Sequence, residues 1–121
     1  MKIFMLLISL FCFSVSAMDW QIQSLAANAS FRGSAVSDGV VWVTGSKNQV
    51  YISKDAGKSW QDVSVKSELL MDFRDIEVFD ANTAIVMGAG AGGLSKLYIT
   101  KNQGLSWELL FDNPDDLGFF N

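Results

Sequence analysis

One stretch of this chain occurs twice. Val50-Tyr-Ile-Ser-Lys-Asp-Ala-Gly-Lys-Ser-Trp60 returns 47 residues later as Leu97-Tyr-Ile-Thr-Lys-Asn-Gln-Gly-Leu-Ser-Trp107. An internal repeat at such a period restricts the fold more than any local signal, because each copy must be one structural unit. The stretch reads as a β-hairpin. Tyr51-Ile52 and Tyr98-Ile99 have the β-branched and aromatic character of strands. Asp55 and Asn102 can bond their side-chain oxygens to backbone N–H groups of a turn. Gly57 and Gly104 supply the positive φ that a tight turn demands, and Trp60 and Trp107 open the next strand.

The flanking residues extend the repeat. Strands are expected over 31–36, 40–44, 50–53 and 60–65, and again over 73–78, 83–87, 97–100 and 107–111. Phe31-Arg32 and Phe73-Arg74 open the two series alike. The second strand of each series is apolar on both faces, as a strand with neighbours on both sides must be. Residues 20–25 echo residues 60–65 and read as the last strand of a preceding unit, while 118–121 read as the start of a third. Four short antiparallel strands per unit, at a period of 40–50 residues, is the pattern of a β-propeller blade. The expected fold is therefore all-β: about two four-stranded antiparallel blades of a larger propeller, with blade 1 about 31–65, blade 2 about 73–111 and a third beginning about 118. On this reading the chain is an N-terminal fragment of a longer protein.

Composition bounds the function. With a net charge of −4 the chain lacks the basic surplus of a nucleic-acid binder. It has no histidine, and its one cysteine, Cys12, falls in residues 1–17. These residues read as a secretory signal peptide: Lys2, an apolar run from Ile3 to Val15, and the cleavage site Val15-Ser16-Ala17. The run is shorter than the roughly 20 residues a spanning helix needs, so no membrane span remains after cleavage. The expected location is outside the cytoplasm, periplasmic or secreted. Removal of Cys12 leaves no thiol and excludes a disulfide framework.

Other motifs fall to plainer readings. Gly88-Ala-Gly-Ala-Gly-Gly93 has the form of a dinucleotide loop, but a strand follows where that motif needs a helix, so a strand-to-strand connection is expected. Ala56-Gly-Lys-Ser59 lacks the earlier glycine of a phosphate-binding loop. Asp115 and Asp116 follow Asn-Pro and read as turn residues. No nucleophile–base pair is visible, and no cofactor or metal is expected.

The repeated hairpin resembles the Asp box, (Ser/Thr)-x-Asp-x-Gly-x-x-Trp, of sialidase-like (BNR) β-propellers. Ser53, Asp55, Gly57 and Trp60 match it fully; Thr100, Gly104 and Trp107 match, with Asn102 in place of the acid. Trp42-Val-Thr-Gly-Ser46 and Phe73-Arg-Asp-Ile-Glu-Val-Phe-Asp80 are similar to secreted BNR propellers of the photosystem II assembly and stability factor-like family. The resemblance implies structural boxes on the outer rim and a non-catalytic scaffold that binds a protein or peptide. A sialidase-type glycoside hydrolase acting on carbohydrate is the alternative, with its catalytic residues beyond residue 121. Its inner-strand Phe-Arg-Ile-Pro is replaced here by Phe31-Arg-Gly-Ser and Phe73-Arg-Asp-Ile. Pseudo-symmetry places Arg32 and Arg74 at equivalent heights on inner strands, as candidate ligand-binding residues of a channel. Two guanidiniums there suit a carboxylate-bearing or acidic ligand. The plainer reading pairs each arginine with an acid in its own or the next blade; Asp75 and Glu77 are near Arg74.

Overall fold

The computed structural model describes Asp19, residues 21–25 and residues 27–120; the leader expected over 1–17 lies outside the described residues. The first antiparallel sheet runs β1 (Phe31–Ser37), β2 (Val40–Gly45), β3 (Val50–Ser53), β4 (Gln61–Asp62). The second runs β5 (Asp72–Val78), β6 (Ala84–Ala91), β7 (Lys96–Thr100), β8 (Glu108–Asp112), and β9 (Phe119–Phe120) adds to β6. In both sheets the spatial order of the first four strands is the order along the chain.

Local chemistry explains the hairpins. Asp38 and Gly39 both take positive φ, at 50° and 77°, which gives the two-residue connection between β1 and β2 the twist that antiparallel strands favour. β2 is Val-Val-Trp-Val, so its side chains alternate between the two faces of the first sheet. Val40, Trp42 and Thr44 are fully buried, together with Val50 and Ile52 of β3, while Val41, Val43 and Tyr51 on the other face are only half-buried.

The buried face of the first sheet packs against the second. Its partners are Phe73 and Ile76 of β5 and Ala84 and Val86 of β6, all buried in one apolar cluster with Val63, Val65 and Met71. The approach is closest where β1 passes β5. A Cβ on Gly33 would lie 2.8 Å from Thr44 Oγ1 and 3.1 Å from the Asp75 Cα, so only glycine lets the two strands come this near. Thr44 Oγ1 donates across the gap to the Phe73 carbonyl at 3.2 Å.

At the far edge, Trp107 closes the sheets together. Its ring meets Trp42 edge-to-face at 6.5 Å, and its Nε1 donates to the Val63 carbonyl at 2.7 Å. Gly104 lies directly against Val63, where a Cβ would come within 2.6 Å of the valine Cβ, and it holds φ at 77°.

Three regions depart from the pattern expected of the sequence. Regular pairing of β4 covers only Gln61–Asp62, although residues 60–65 alternate. Asp62 Oδ1 accepts the Ser64 N–H at 2.9 Å, and Ser64 Oγ takes the Val50 N–H at 3.1 Å, so side chains replace part of the ladder. Val63 and Val65 still donate to the Val50 and Asn48 carbonyls. Residues 21–25 form no strand and lie beside the first repeated turn, with Gln23 against Gly57. Gly88–Ala91 belong to β6, which outruns its pairing with β7, and Phe119–Phe120 occupy that free stretch at Gly90 and Ala91. The segment expected to open a third unit therefore lies on the second sheet. A single 3-10 turn, Gly92–Leu94, then leads into β7, so the glycine-rich run precedes no helix.

Replacing Trp107 by Phe keeps most of the packing and removes the bond to Val63, which should cost about 1 kcal/mol. Replacing it by Ala opens the rim and should cost about 3 kcal/mol. Urea unfolding of the two variants measures both.

Candidate functional site

The two repeated turns use one hydrogen-bond plan. In the first, Ser53 Oγ accepts the Gly57 N–H at 2.8 Å and donates to Asp55 Oδ1 at 2.9 Å. In the second, Thr100 Oγ1 accepts the Gly104 N–H at 2.9 Å and donates to Asn102 Oδ1 at 3.0 Å. Asp55 Oδ1 accepts the Ser59 N–H at 2.8 Å as Asn102 Oδ1 accepts the Ser106 N–H at 3.0 Å. The last bond reverses direction. Ser59 Oγ donates to the carboxylate of Asp55 at 2.5 Å, whereas Ser106 Oγ accepts from the amide of Asn102 at 2.8 Å. The donors around Asp55, led by the Ser59 hydroxyl, draw its carboxyl from the ordinary 3.8 down to about 2. Six of the eight repeat residues thus hold turns: Ser53, Asp55 and Gly57 in the first, and Thr100, Asn102 and Gly104 in the second.

The arginines lie elsewhere. β1 and β2 slip register between Phe31 and Gly33, and β5 and β6 slip between Phe73 and Asp75. Each slip is a β-bulge, and the extra residue is Arg32 in one sheet and Arg74 in the other. A bulge breaks alternation and re-aims the side chain it carries. Both side chains converge on Asp72. Arg32 Nε lies 3.6 Å and Arg74 Nε 3.4 Å from the same oxygen, Asp72 Oδ2. The side chains of the two arginines are 51% and 46% exposed, so the cluster opens to solvent.

Each arginine pairs with an acid of its own or the neighbouring sheet, as the plainer reading has it, and that acid is Asp72 rather than Asp75 or Glu77. Asp75 Oδ1 accepts the Ile76 N–H at 2.9 Å instead. Arg74 is directed at Asp72, at the start of β5. One carboxylate between two guanidiniums leaves a surplus positive charge. Asp72 Oδ1 is buried without a hydrogen-bond partner among the described residues, so the carboxylate engages the arginines through one oxygen.

Sequence reasoning missed what holds Asp72. Asn48 is buried in the turn after β2 with φ at 61°. Its Oδ1 accepts the Met71 N–H at 2.7 Å and its Nδ2 donates to the Leu69 carbonyl at 2.8 Å. The segment leading into β5 is thereby pinned to the first sheet, and Asp72 follows directly. An asparagine closing a Gly-Ser-Lys-Asn turn was the available signal, since Asn tolerates positive φ.

The other candidates are accounted for locally. Asp115 Oδ1 accepts the Leu117 N–H at 2.9 Å, which makes it a turn residue. Among the described residues no group of three or more His, Cys, Asp or Glu could hold a metal ion, and no helix is long and apolar enough to cross a membrane.

No family model and no curated protein matches the chain. Among solved structures it is similar to YCF48 bound to D1 peptide, with a TM-score of 0.64 and 20% identity over 75% of this chain. The fold is that of β-propeller blades. The match spans 29% of that protein's length, so the chain compares with less than a third of it.

Because the Asp55 carboxyl is more acidic in the folded chain than unfolded, its charge stabilises the fold above about pH 4. That contribution fades as pH falls through the folded value of about 2. Asp55→Asn, which copies the second turn, should flatten the dependence of melting temperature on pH between those values, and Asn102→Asp should steepen it.

Proposed function

We propose that the chain forms part of an exported, non-catalytic β-propeller of the Asp-box (BNR) type, and that it holds a protein or peptide by a carboxylate. The paired arginines carry this reading. Two bulges on neighbouring inner strands aim Arg32 and Arg74 at one place, and Asp72 leaves one of their charges unmatched. Asp72 also fixes the spacing of the guanidiniums, so an incoming carboxylate meets pre-oriented donors. Guanidinium forks are suited to such an ion because they can bind it through two parallel N–H groups.

The repeated turns support the family reading. Their Ser/Thr, Asp/Asn and Gly positions bond alike, and Trp107 packs between the sheets. YCF48, to which the fold is similar, has been solved with a D1 peptide. On this proposal the Asp-box residues serve structure and the arginines serve recognition.

A short acidic peptide titrated against the chain tests the proposal. The Arg32→Ala/Arg74→Ala double variant should bind it about 10–100 times more weakly, since a hydrogen bond to a charged group contributes about 1.5–3 kcal/mol. Raising salt should weaken wild-type binding. Equal binding by wild type and double variant would sink the arginine site.

A further inference from the structure

Asn48 ties the turn between β2 and β3 to the segment that leads into β5. Its N–H donates to the Met71 carbonyl at 3.1 Å, and its Oδ1 accepts the Met71 N–H at 2.7 Å. Its side-chain amide also donates to the Ser67 and Leu69 carbonyls, at 3.3 and 2.8 Å. The residues on either side of this pin carry chemistry that the arginine pair leaves unused. Lys47 precedes Asn48 and Gln49 follows it, while Leu70 precedes Met71 and Asp72 follows it.

Beside the pin lies a groove of about 600 Å³, lined by Lys47, Gln49, Lys66 and Leu70. Its main walls are the turn after β2 and residues 64–70. Both are connections between strands rather than sheet faces.

Two observations mark this groove as a place for a ligand. The first is an orphan acceptor. Gln49 Oε1 is buried with no hydrogen-bond partner among the described residues, and Asp72 Oδ1, across the pin, is in the same state. A buried acceptor without a donor is destabilising, and an extended peptide presents N–H donors at regular intervals. The second is charge. Lys47 and Lys66 are exposed and make no ion pair among the described residues. Of the acids at the groove, Asp62 turns its carboxylate to the N–H and hydroxyl of Ser64, and Glu68 stands exposed against the two lysines. Leu70, 64% exposed, forms an apolar rim two residues before Asp72.

We propose that this groove continues the arginine site. The main chain of the bound peptide runs from the arginine pair over Leu70 into the groove, where Gln49 Oε1 accepts one of its N–H groups. A second acidic side chain of the same peptide meets Lys47 and Lys66. The proposal rests on the reading of Arg32 and Arg74 as a carboxylate site. Paired backbones lie about 5 Å apart, and one residue of extended chain advances about 3.3 Å, which keeps Lys47 within roughly 12 Å of Asp72 at the backbone. An extended peptide covers that distance in no more than about four residues.

Titration of the whole chain with end-blocked peptides, followed by fluorescence anisotropy at physiological salt, tests the proposal. One peptide carries a single aspartate among alanines and reads the arginine pair alone. The others carry two aspartates, up to about four residues apart. At one or more of these spacings, Lys47→Asn/Lys66→Gln should bind the two-acid peptide about 3–10 times more weakly than wild type, the effect of losing two exposed ion pairs. It should bind the single-acid peptide as wild type does. Both lysines are exposed, and asparagine adopts the φ of 61° at position 47 readily, so the variant should fold. Methylating the peptide's backbone nitrogens one at a time should find a position that weakens binding to wild type but not to Gln49→Met, which lacks the acceptor. Equal binding of every two-acid peptide by wild type and the lysine variant overturns the groove, and so does binding that no backbone methylation weakens. The arginine site survives either result if Arg32→Ala/Arg74→Ala still weakens the single-acid peptide. An arginine variant that binds the single-acid peptide like wild type removes the arginine reading, and the groove proposal with it.

Discussion

Burial of one face of the first sheet by the opposite face of the second underlies every other feature of this molecule. Eleven of the buried apolar side chains form one cluster, and it lies between the sheets. Neither sheet has a core of its own. A four-stranded sheet with one covered face is the smallest unit that can be repeated in this way, and its stability resides mainly in contacts with its neighbours. Trp42 is the centre of the contact, and it reaches both Phe73's side of the interface and Trp107 at the rim. Gly33 and Gly104 set the two closest approaches, one at each end of the sheets. The distance between the bulges, and so the arginine pair, is a consequence of the same packing.

Much of this architecture is legible in the residues. The repeated hairpin, the Phe-Arg openings and the apolar second strands mark seven of the nine strands to within a few residues, because period-two alternation and turn chemistry are local properties. What was not legible depended on partners. Residues 60–65 alternate like a strand, but Asp62 and Ser64 turn their side chains into the ladder and shorten it. Residues 21–25 alternate too, yet form no strand. Phe119–Phe120 looked like the start of a new unit, yet the unpaired end of β6 was nearer.

The site divides in the same way. Arg32 and Arg74 stand out in the sequence because they recur after phenylalanine. Their bulges do not, since a bulge is a property of register between two strands. Asp72 lies two residues before Arg74, but its hold on Arg32 comes from the packing of β1 beside β5. Asn48 is more distant still: it acts across the turn after β2 on the segment that precedes β5. The turn residues were easier, because Ser53, Asp55 and Gly57 bond to one another within five positions of the chain.

The strand order has a consequence for how the molecule is made. Within β1–β4 and within β5–β8 every strand pairs with the one just synthesised, so these ladders close as local hairpins, and β9 alone pairs back onto β6. Contacts of short sequence separation form fast, and a chain emerging from the ribosome can complete the first sheet before β5 exists. The slow step is then the docking of two finished sheets, and until it happens the Trp42 face is bare. A chaperone that shields one apolar surface for the time needed to synthesise about 40 more residues would guard the whole interval at an elongation rate of about 5–20 residues per second.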